Sequence, residues 1–354
     1  METVTTARLA NGRVLGAGEP PYLIAEIGAN HNGDMDLCRR LIDEAKAAGA
    51  DAVKFQSWSA SSLISAAEYA RHTSYGDTKK HFGSLHEMVE RYQLTPDQHE
   101  QAAAYCRAAG VDFLSTPFSP AEVDLLVALD VPAIKIASMD VVHLPLLEYV
   151  GHTRLPVVLS TGMATTAEVA RAVDALRAAG TSDLVLLHCV SIYPPEPDTV
   201  NLRNMDGLRG AFALPVGFSD HTIGVAVPLA AVALGACVIE KHFTLDKDLE
   251  GWDHAISADP AELAAIAAGG RAVWAALGAT ERTVGEAELA KRRQFRRRVV
   301  LRRALAAGRP LAFDDLDFKR PGTGIGPDET RYVVGRRVAR DLPADHELEW
   351  SDLA

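Results

Sequence analysis

The sequence predicts a (β/α)8 barrel followed by a small second domain. Eight short apolar runs recur between residues 20 and 243, and alanine-rich helical segments separate most of them, as in alternating buried strands and helices. Each run also ends in polar residues, and the carboxyl ends of barrel strands form the face that carries the active site. The competing fold, an open doubly wound sheet, favours a glycine-rich turn after the first strand, and IGANHNG does not match GxGxxG.

The boundaries of the elements follow from the apolar runs and from the residues that start and stop helices. Strands are predicted over residues 21–30, 50–56, 111–119, 132–140, 155–163, 182–195, 216–221 and 237–243. Helices are predicted over 34–49, 95–109, 224–236 and 260–277, with Asp34 capping the first and Thr165 or Thr166 capping the helix after residue 163. Residues 1–20 are expected to form a short polar arm, and the polar insertion 57–91 an active-site loop or lid.

Composition limits the classes of function. The chain has 354 residues, is 48% hydrophobic and carries a formal net charge of −11, which disfavours nucleic acid as a partner. It has neither an apolar signal-peptide core at residues 1–13 nor an apolar stretch of about 20 residues, so no membrane association is expected. The four cysteines form no CxxC pair and are expected to be buried free thiols, which predicts a cytoplasmic protein.

Two histidines end the last two apolar runs, His221 in VGFSDH and His242 in EKHF. Charged residues stand close to them in the sequence: Asp220, Glu240, Lys241 and Asp253. In a barrel these strand ends converge on one cavity, so the two imidazoles could hold a divalent metal. They could equally be structural histidines, since a separation of 21 residues fits no metal motif of fixed spacing.

Two lysines lie inside apolar runs, Lys54 in AVKFQ and Lys135 in AIKIAS. Singly, each could be a surface lysine, but lysine is rarely buried without an anionic partner. Hydroxyl residues end the neighbouring runs, among them Ser115, Thr116, Ser138, Ser160, Thr161, Ser191 and Ser219. Lysines and hydroxyls gathered on one face predict a site for phosphate.

Several motifs, in this order and spacing, resemble the sialic acid synthase family: AEIGANHNGD, DAVKFQ, FLSTPFS, KIAS, STGMAT, LLHCVSIYP, GFSDHTIG and EKHFT. The resemblance runs from about residue 20 to the C-terminus and includes KRPGTGI near the end of the chain. It implies condensation of phosphoenolpyruvate with an N-acetylmannosamine-type sugar. It also implies a TIM barrel followed by a small antifreeze-like (SAF) domain, in a domain-swapped homodimer.

The resemblance assigns roles residue by residue. His221 and His242 match the metal ligands, for Mn²⁺ or Mg²⁺, and Glu26 matches a glutamate beside the metal. The phosphoenolpyruvate pocket is matched by Lys54, Thr116, Lys135, Ser138, Ser160 and Ser219, with Ser191 where many members have asparagine. Sugar contacts are matched by Gln56, Tyr193 and Asp253, by Asp140 in place of a glutamate, and by Arg320, which reaches over the sugar from the partner chain.

The chemistry explains why these residue types are needed. A divalent ion can activate the sugar aldehyde as a Lewis acid. The alkene carbon of phosphoenolpyruvate attacks that aldehyde, water adds to the carbon bearing phosphate, and phosphate leaves with carbon–oxygen cleavage. Lysines and hydroxyls hold the phosphate and keep the two substrates together. The sequence does not identify the general base.

The C-terminal part of the chain predicts three segments: a barrel over residues 1–280, a linker over 281–298 and the SAF domain over 299–354. Residues 291–303 carry eight positive charges, which could form a nucleic-acid patch. A solvated linker is the preferred interpretation, because the protein is acidic and no aromatic ladder accompanies the run.

Three departures from the family pattern lie near the expected sugar: Met139 replaces a glycine, Asp140 a glutamate and Trp252 a proline. The acceptor is therefore left open between N-acetylmannosamine, a 6-deoxy-2,4-diacetamido hexose and an unacetylated sugar aldehyde. A synthase acting on a phosphorylated sugar is an alternative, but it requires a second basic cluster, and no spare lysine or arginine ends a strand. A non-catalytic sugar-binding barrel is another alternative.

Overall fold

A computed structural model describes residues 5–74 and 83–354. The chain divides into two compact units, Met1–Gly278 and Ala279–Ala354. The strands, in chain order, are β1 (Thr6–Arg8), β2 (Val14–Gly16), β3 (Tyr22–Gly28), β4 (Ala52–Ser57), β5 (Asp112–Pro117), β6 (Ile134–Ile136), β7 (Val157–Ser160), β8 (Leu184–Cys189), β9 (Val216–Asp220), β10 (Val238–His242), β11 (Arg298–Leu301) and β12 (Leu316–Lys319).

The helices include the two whose N-terminal caps are predicted from the sequence. They are α1 (Met35–Ala47), α2 (Ala60–Leu63), α3 (Ala66–Arg71), α4 (Leu85–Tyr92), α5 (Pro96–Ala109), α6 (Pro120–Ala128), α7 (Leu144–His152), α8 (Thr166–Ala179), α9 (Asn204–Phe212), α10 (Ala226–Ala233), α11 (Pro260–Leu277), α12 (Glu286–Phe295) and α13 (Thr330–Val333). The Asp34 carboxylate accepts the amide protons of Asp36 and Leu37 and so caps α1, while Thr165 caps α8 through a capping box.

The described residues of the first unit contain one eight-stranded parallel sheet, in the order β5-β4-β3-β10-β9-β8-β7-β6. The end strands β5 and β6 lie against each other, so the sheet curls into a nearly closed barrel. Apolar side chains on the helices, such as Leu41 and Ile42 of α1, pack against the outside of the strands in one large core. The predicted (β/α)8 barrel is confirmed.

The prediction of a polar arm at the N-terminus is wrong for the described residues 5–20. β1 and β2 pair as an antiparallel hairpin. Its apolar residues Ala7, Leu9 and Leu15 are buried in a second core with residues from the beginnings of the barrel strands, such as Ile24 and Val238. The hairpin thus covers the N-terminal end of the barrel, where apolar strand residues would otherwise be exposed.

The insertion predicted as a loop or lid, residues 57–91, contains more structure than expected. Residues 75–82 lie outside the described residues. The remainder forms α2, α3 and most of α4. Leu85, Met88 and Val89 pack with Trp58 in a small core of their own. The described part of the insertion is therefore a packed helical layer.

The second unit has its own apolar core, built around β11 and β12, which pair in an antiparallel ladder. Residues predicted as a linker form helix α12, whose side chains are exposed. Glu286 and Glu288 in its first turn and Arg292 and Arg293 in its last turn complement the helix dipole.

Two further sequence predictions concern the whole chain. All four cysteines fall within the described residues, and all are buried free thiols, as predicted. Among residues 5–74 and 83–354, no helix is both long enough and apolar enough to cross a membrane.

Candidate active site

A cavity of about 240 Å³ opens at the carboxyl ends of the barrel strands. It is lined by Glu26, Lys54, Gln56, Thr116, Phe118, Lys135, Ala137, Ser138, Met139, Ser160, Met163, Cys189, Ser191, Tyr193, Ser219, His221, Glu240 and His242. Twelve of the predicted site residues are among them. The structure therefore brings together residues that are up to 216 positions apart in the sequence, from Glu26 to His242.

Two buried lysines face this cavity and share one buried glutamate. The Lys54 ammonium lies 2.6 Å from Glu26 Oε2 and 3.9 Å from Glu240 Oε2. The Lys135 ammonium lies 3.5 Å from Glu240 Oε1 and donates to Ser160 Oγ at 2.7 Å. Glu240 thus stands between the two lysines and balances part of their charge, which makes their burial tolerable.

The charges of this cluster set its protonation states. Burial, together with the negative charge of Glu240, raises the pKa of Glu26 to about 7, although Lys54 opposes the shift. Burial disfavours the charged form of Glu240 as well, but Lys135 and Lys54 outweigh it and the pKa of Glu240 is lowered. Burial lowers the pKa of Lys135. Burial also disfavours the charged form of Lys54, but Glu240 and Glu26 outweigh it and the pKa of Lys54 is raised.

Hydroxyl groups surround the lysines on the neighbouring strands. Lys54 Nζ donates to Thr116 Oγ1 at 3.3 Å, and Ser219 Oγ donates to Glu240 Oε1 at 2.9 Å. Gly162 brings its backbone N–H within 3.0 Å of Ser138 Oγ. A Cβ at Gly162 would lie 2.8 Å from that oxygen, so a larger residue here would displace the Ser138 hydroxyl.

The two histidines lie side by side at the cavity wall, with ring centroids 5.4 Å apart. His221 Nδ1 donates to the carbonyl of Val190 at 2.9 Å, an assignment that leaves Nε2 as the nitrogen with a free lone pair. His242 Nδ1 is buried without a hydrogen-bond partner among the described residues, and Asp253 Oδ2 lies 3.6 Å from it. Burial holds the pKa of His242 well below its ordinary value. His242 therefore presents a neutral imidazole.

Comparison with known proteins identifies the chain's relatives. The sequence profile described as the NeuB family matches residues 41–282, and that of the SAF domain matches residues 296–354. The chain belongs to the NeuB family. The resemblance to sialic acid synthases and the SAF domain predicted from the sequence are thus confirmed.

Three members of this family illustrate the similarity. The chain is 40% identical over 340 residues to the N,N'-diacetyllegionaminic acid synthase of Legionella pneumophila, covering 94% of each chain. It is 37% identical to the enzyme of the same name from Campylobacter jejuni, covering 91% of this chain and 97% of that one. The crystal structure of the N-acetylneuraminic acid synthetase of Leptospira borgpetersenii superposes with a TM-score of 0.73 at 32% identity, covering 81% of this chain and 95% of that one.

Two residues that adjoin the histidines in the sequence, Asp220 and Lys241, do not line the cavity. Asp220 and Lys241 are fully buried on the opposite side of their strands, where Lys241 Nζ lies 2.7 Å from Asp220 Oδ2. They are absent from the cavity lining, so their closeness to His221 and His242 in the sequence does not bring them into the same cavity. The reason is the two-residue alternation of a strand, which turns the neighbours of an inward-facing residue outward.

Three other predicted site residues lie outside the lining of the cavity. Asp140 follows Ser138 and Met139 in a 3-10 turn and is buried, but it does not line the cavity. Asp253 lies on the loop after β10, and it approaches the site through His242. Arg320 belongs to the second unit, where its guanidinium lies 5.2 Å from the Phe295 ring.

The sequence patterns assigned no specific contact to several residues that the structure places at the site. Glu240 joins the two lysines, and Cys189 lies 4.0 Å from His221 Nδ1. Phe118 lines the cavity and contacts Trp58, which in turn contacts Trp252, with ring centroids 6.2 and 6.1 Å apart. The position of Glu240 two residues before His242 was the available signal, because residues i and i+2 of a strand share one face.

Proposed function

We propose that this chain condenses phosphoenolpyruvate with a neutral amino-sugar aldehyde and water to give a nonulosonic acid and phosphate. The observation that carries the proposal is the pair of buried lysines, Lys54 and Lys135, which face one cavity together with a ring of hydroxyls. Buried cations on a hydroxyl-lined wall suit a doubly charged oxyanion. Membership of the NeuB family, whose named relatives are nonulosonic acid synthases, supports the same reaction.

In this proposal the donor is held by residues at the carboxyl ends of the strands and just beyond them. Lys54 and Lys135 bind the phosphate and carboxylate of phosphoenolpyruvate, with Thr116, Ser138, Ser160, Ser191 and Ser219 as hydrogen-bonding partners. Lys54 Nζ already pairs with Glu26 and Thr116, and Lys135 Nζ with Ile136 O and Ser160. Glu240 lies 3.5 to 3.9 Å from the two ammonium groups, beyond an ideal hydrogen bond, so each ammonium keeps one proton for the ligand. The donor is thereby fixed before the acceptor arrives, which lowers the entropic barrier.

The histidine pair fits a divalent cation as ligands. His242 Nδ1 is a buried nitrogen without a hydrogen-bond partner in the described part of the chain, and His221 keeps Nε2 free because its Nδ1 donates to Val190. The described residues contain no group of three or more histidine, cysteine or acidic side chains around one point. We therefore propose that His221 and His242 hold Mn²⁺ or Mg²⁺, with water and the acceptor completing the coordination. When bound, the ion would supply Lewis-acid polarisation of the acceptor aldehyde.

The surroundings of Glu26 support a role in handling water at this site. Its carboxylate accepts from Gln56 Nε2 at 2.8 Å and is paired with Lys54 at 2.6 Å. A carboxyl group with a pKa near 7 can exchange a proton at neutral pH. We propose that Glu26 acts on the water that adds to the carbon bearing phosphate.

We propose a 2,4-diacetamido hexose as the acceptor. Both relatives at 40% and 37% identity are named N,N'-diacetyllegionaminic acid synthases, whereas the N-acetylneuraminic acid synthetase of known structure is 32% identical. Met139 and Tyr193 supply apolar surface at the cavity mouth for a deoxy carbon or an acyl methyl. Among the lining residues from the described chain, the lysines are Lys54 and Lys135, and no arginine is present. This favours an unphosphorylated acceptor over a sugar phosphate.

The assembly implied by the family resemblance is also a proposal. It places Arg320 of one chain over the acceptor bound by a partner, in a cytoplasmic domain-swapped homodimer. A mixture of His242→Ala and Arg320→Ala chains, refolded together, should regain some active sites by complementation. Mixed dimers of verified composition that remain inactive would indicate a site built within one chain.

Phosphate release from phosphoenolpyruvate tests the reaction directly. The acceptor panel should include N-acetylmannosamine, a 6-deoxy-2,4-diacetamido hexose, an unacetylated sugar aldehyde and arabinose 5-phosphate, each with chelator and with added Mn²⁺. We expect release with an unphosphorylated amino sugar, its loss in chelator and its recovery with Mn²⁺. His221→Ala and His242→Ala should abolish turnover, while Lys46→Met, a change on the outer helix α1, should not.

The outcomes separate the alternatives. Turnover that is fastest with the sugar phosphate would support the alternative synthase. Full activity in chelator would refute the metal assignment alone. Absence of release with every acceptor, in protein that binds a sugar of the panel, would support a non-catalytic binding barrel.

A further inference from the structure

Asn32, in the loop after β3, is inserted into the loop after β10. Its Nδ2 donates to the carbonyl of Glu250 at 2.7 Å, and its Oδ1 lies 3.2 Å from His254 Nε2. A Cβ at Gly251 would lie 2.6 Å from Asn32 Oδ1, so only glycine lets the second loop pass this close. We refer to Asn32, Glu250, Gly251 and His254 as the Asn32 clasp.

The clasp is anchored on both sides. His254 is completely buried, and its Nδ1 lies 2.6 Å from Thr244 Oγ1, at the beginning of the same loop. Two residues before Asn32, the side-chain amide of Asn30 donates through Nδ2 to Phe243 O and to Ser257 Oγ, both at 2.9 Å. The loop after β3 is therefore hydrogen-bonded to both ends of the loop after β10.

The residues held between the anchors are those that approach the cavity. Trp252 and Asp253 lie between Glu250 and His254. The Asp253 carboxylate lies 3.6 Å from His242 Nδ1. The Trp252 ring contacts the Trp58 ring. Trp58 also contacts the ring of Phe118, which lines the cavity. With residues 250 and 254 both fixed, the three residues between them have few conformations left.

We propose that Asn32 is a positioning residue for the acceptor side of the site, acting through Asp253 and Trp252. The inference rests on the proposed function, because it assumes that a sugar occupies the space beside these two residues. The donor side is held separately, since Lys54 and Lys135 are fixed by Glu26, Glu240 and Ser160. Loss of the clasp should therefore weaken acceptor binding and leave donor binding unchanged.

The test variant is Asn32→Gly. Asn32 has φ of 53°, a left-handed conformation that glycine adopts freely, so the change removes the side chain while the backbone conformation stays accessible. Asp130→Gly is the matched control, because Asp130 has φ of 56° and is exposed in the turn before β6, at the other end of the barrel. Asn32→Asp is a partial rescue, since it keeps the acceptor for His254 and loses the donor to Glu250.

Two readouts are needed. Hydrogen–deuterium exchange should rise in peptides covering residues 244–257 of Asn32→Gly, rise less in Asn32→Asp and stay at the wild-type level in Asp130→Gly. The KM for the acceptor should rise roughly tenfold in Asn32→Gly, the loss expected for two hydrogen bonds, with the KM for phosphoenolpyruvate unchanged.

Each contrary result has a distinct meaning. Exchange at residues 244–257 equal to that of the control would overturn the clasp as an ordering device. Increased exchange with equal rises in both KM values would overturn its selectivity for the acceptor. If wild-type protein released no phosphate with any acceptor, the proposed function would fail and the positioning role with it. The exchange measurement would still decide whether the clasp orders the loop.

Discussion

Replacement of Lys241 by methionine tests how the two histidine-bearing strands are held together. Lys241 Nζ lies 2.7 Å from Asp220 Oδ2 and also donates to the carbonyl of Thr222, and both members of the ion pair are fully buried. They are paired across the ladder of β9 and β10. Because His221 follows Asp220 and His242 follows Lys241, this pair fixes the backbone beside both imidazoles.

The expected magnitude follows from what the variant leaves behind. Methionine fills most of the volume of lysine, but it leaves the buried Asp220 carboxylate without its ion-pair partner. Removal of one partner of a buried ion pair costs about 3–5 kcal/mol. For a domain of this size the melting temperature should fall by roughly 6–20 °C, as measured by thermal unfolding of the full chain.

Two comparisons make the measurement decisive. Asp220→Asn/Lys241→Met carries no unpaired charge and keeps an oxygen for the Thr222 amide, so it should be more stable than Lys241→Met alone. Lys247→Met removes a partly exposed pair with Glu262 and should cost less than about 1 kcal/mol. A Lys241→Met protein as stable as Lys247→Met, or a double variant less stable than the single one, would refute this reasoning.

Three further predictions concern the donor site, the second unit and the acceptor site. Lys54→Met and Lys135→Met should each raise the KM for phosphoenolpyruvate roughly 10- to 150-fold, the loss of one hydrogen bond to a charged group, in steady-state kinetics; an unchanged KM in both would contradict the donor assignment. In the second unit, the pKa of Asp352 is lowered: burial opposes the shift, but the hydrogen bonds from His346, the Glu349 amide and Arg340 outweigh it. Its stabilising contribution is therefore present above its unfolded pKa of about 3.9 and is lost as pH falls through the lower folded value. Asp352→Asn should lower the melting temperature at pH 7, and this effect should shrink as pH falls through the lowered folded pKa. Met139→Gly should change the ratio of kcat/KM between 6-deoxy-diacetamido and N-acetylmannosamine acceptors by no more than roughly 200-fold, and an unchanged ratio would mean that Met139 does not set specificity.

The barrel and the gathering of Lys54 and Lys135 at one cavity could be predicted because both depend on local pattern. A lysine in the middle of an apolar strand, as in AVKFQ or AIKIAS, must point either into the barrel or into the helical layer. Hydroxyl and charged residues stand at the end of each strand, so the carboxyl face is polar. A lysine that points into the barrel is therefore expected at that face. The structure places Lys54 and Lys135 on that face, 3.9 and 3.5 Å from the same glutamate.

The direction of Asp220 and Lys241 follows from the alternation of side chains along a strand. Asp220 and Lys241 flank inward-facing histidines, so a period of two already predicts that they face outward. The N-terminal hairpin is a harder case. Its buried apolar residues, Ala7, Leu9 and Leu15, form no long apolar run. The local sequence therefore does not indicate that they pack against the end of a barrel.

The acceptor side depends on contacts that no local pattern records. Asn32 and Glu250 are 218 residues apart in the sequence, and the need for glycine at position 251 appears only once the Asn32 side chain is seen beside it. Lys54 and Lys135, the lysines proposed to bind the donor, stand on strands, where the barrel fixes their direction. Trp252 and Asp253 stand on a loop that is held in place by hydrogen bonds to another loop. Loops can change without disturbing the strands that carry them. Such a division lets one scaffold keep its donor chemistry while different acceptors are selected by the loops. It is consistent with the three departures from the family pattern, Met139, Asp140 and Trp252, all of which lie beyond the strand ends.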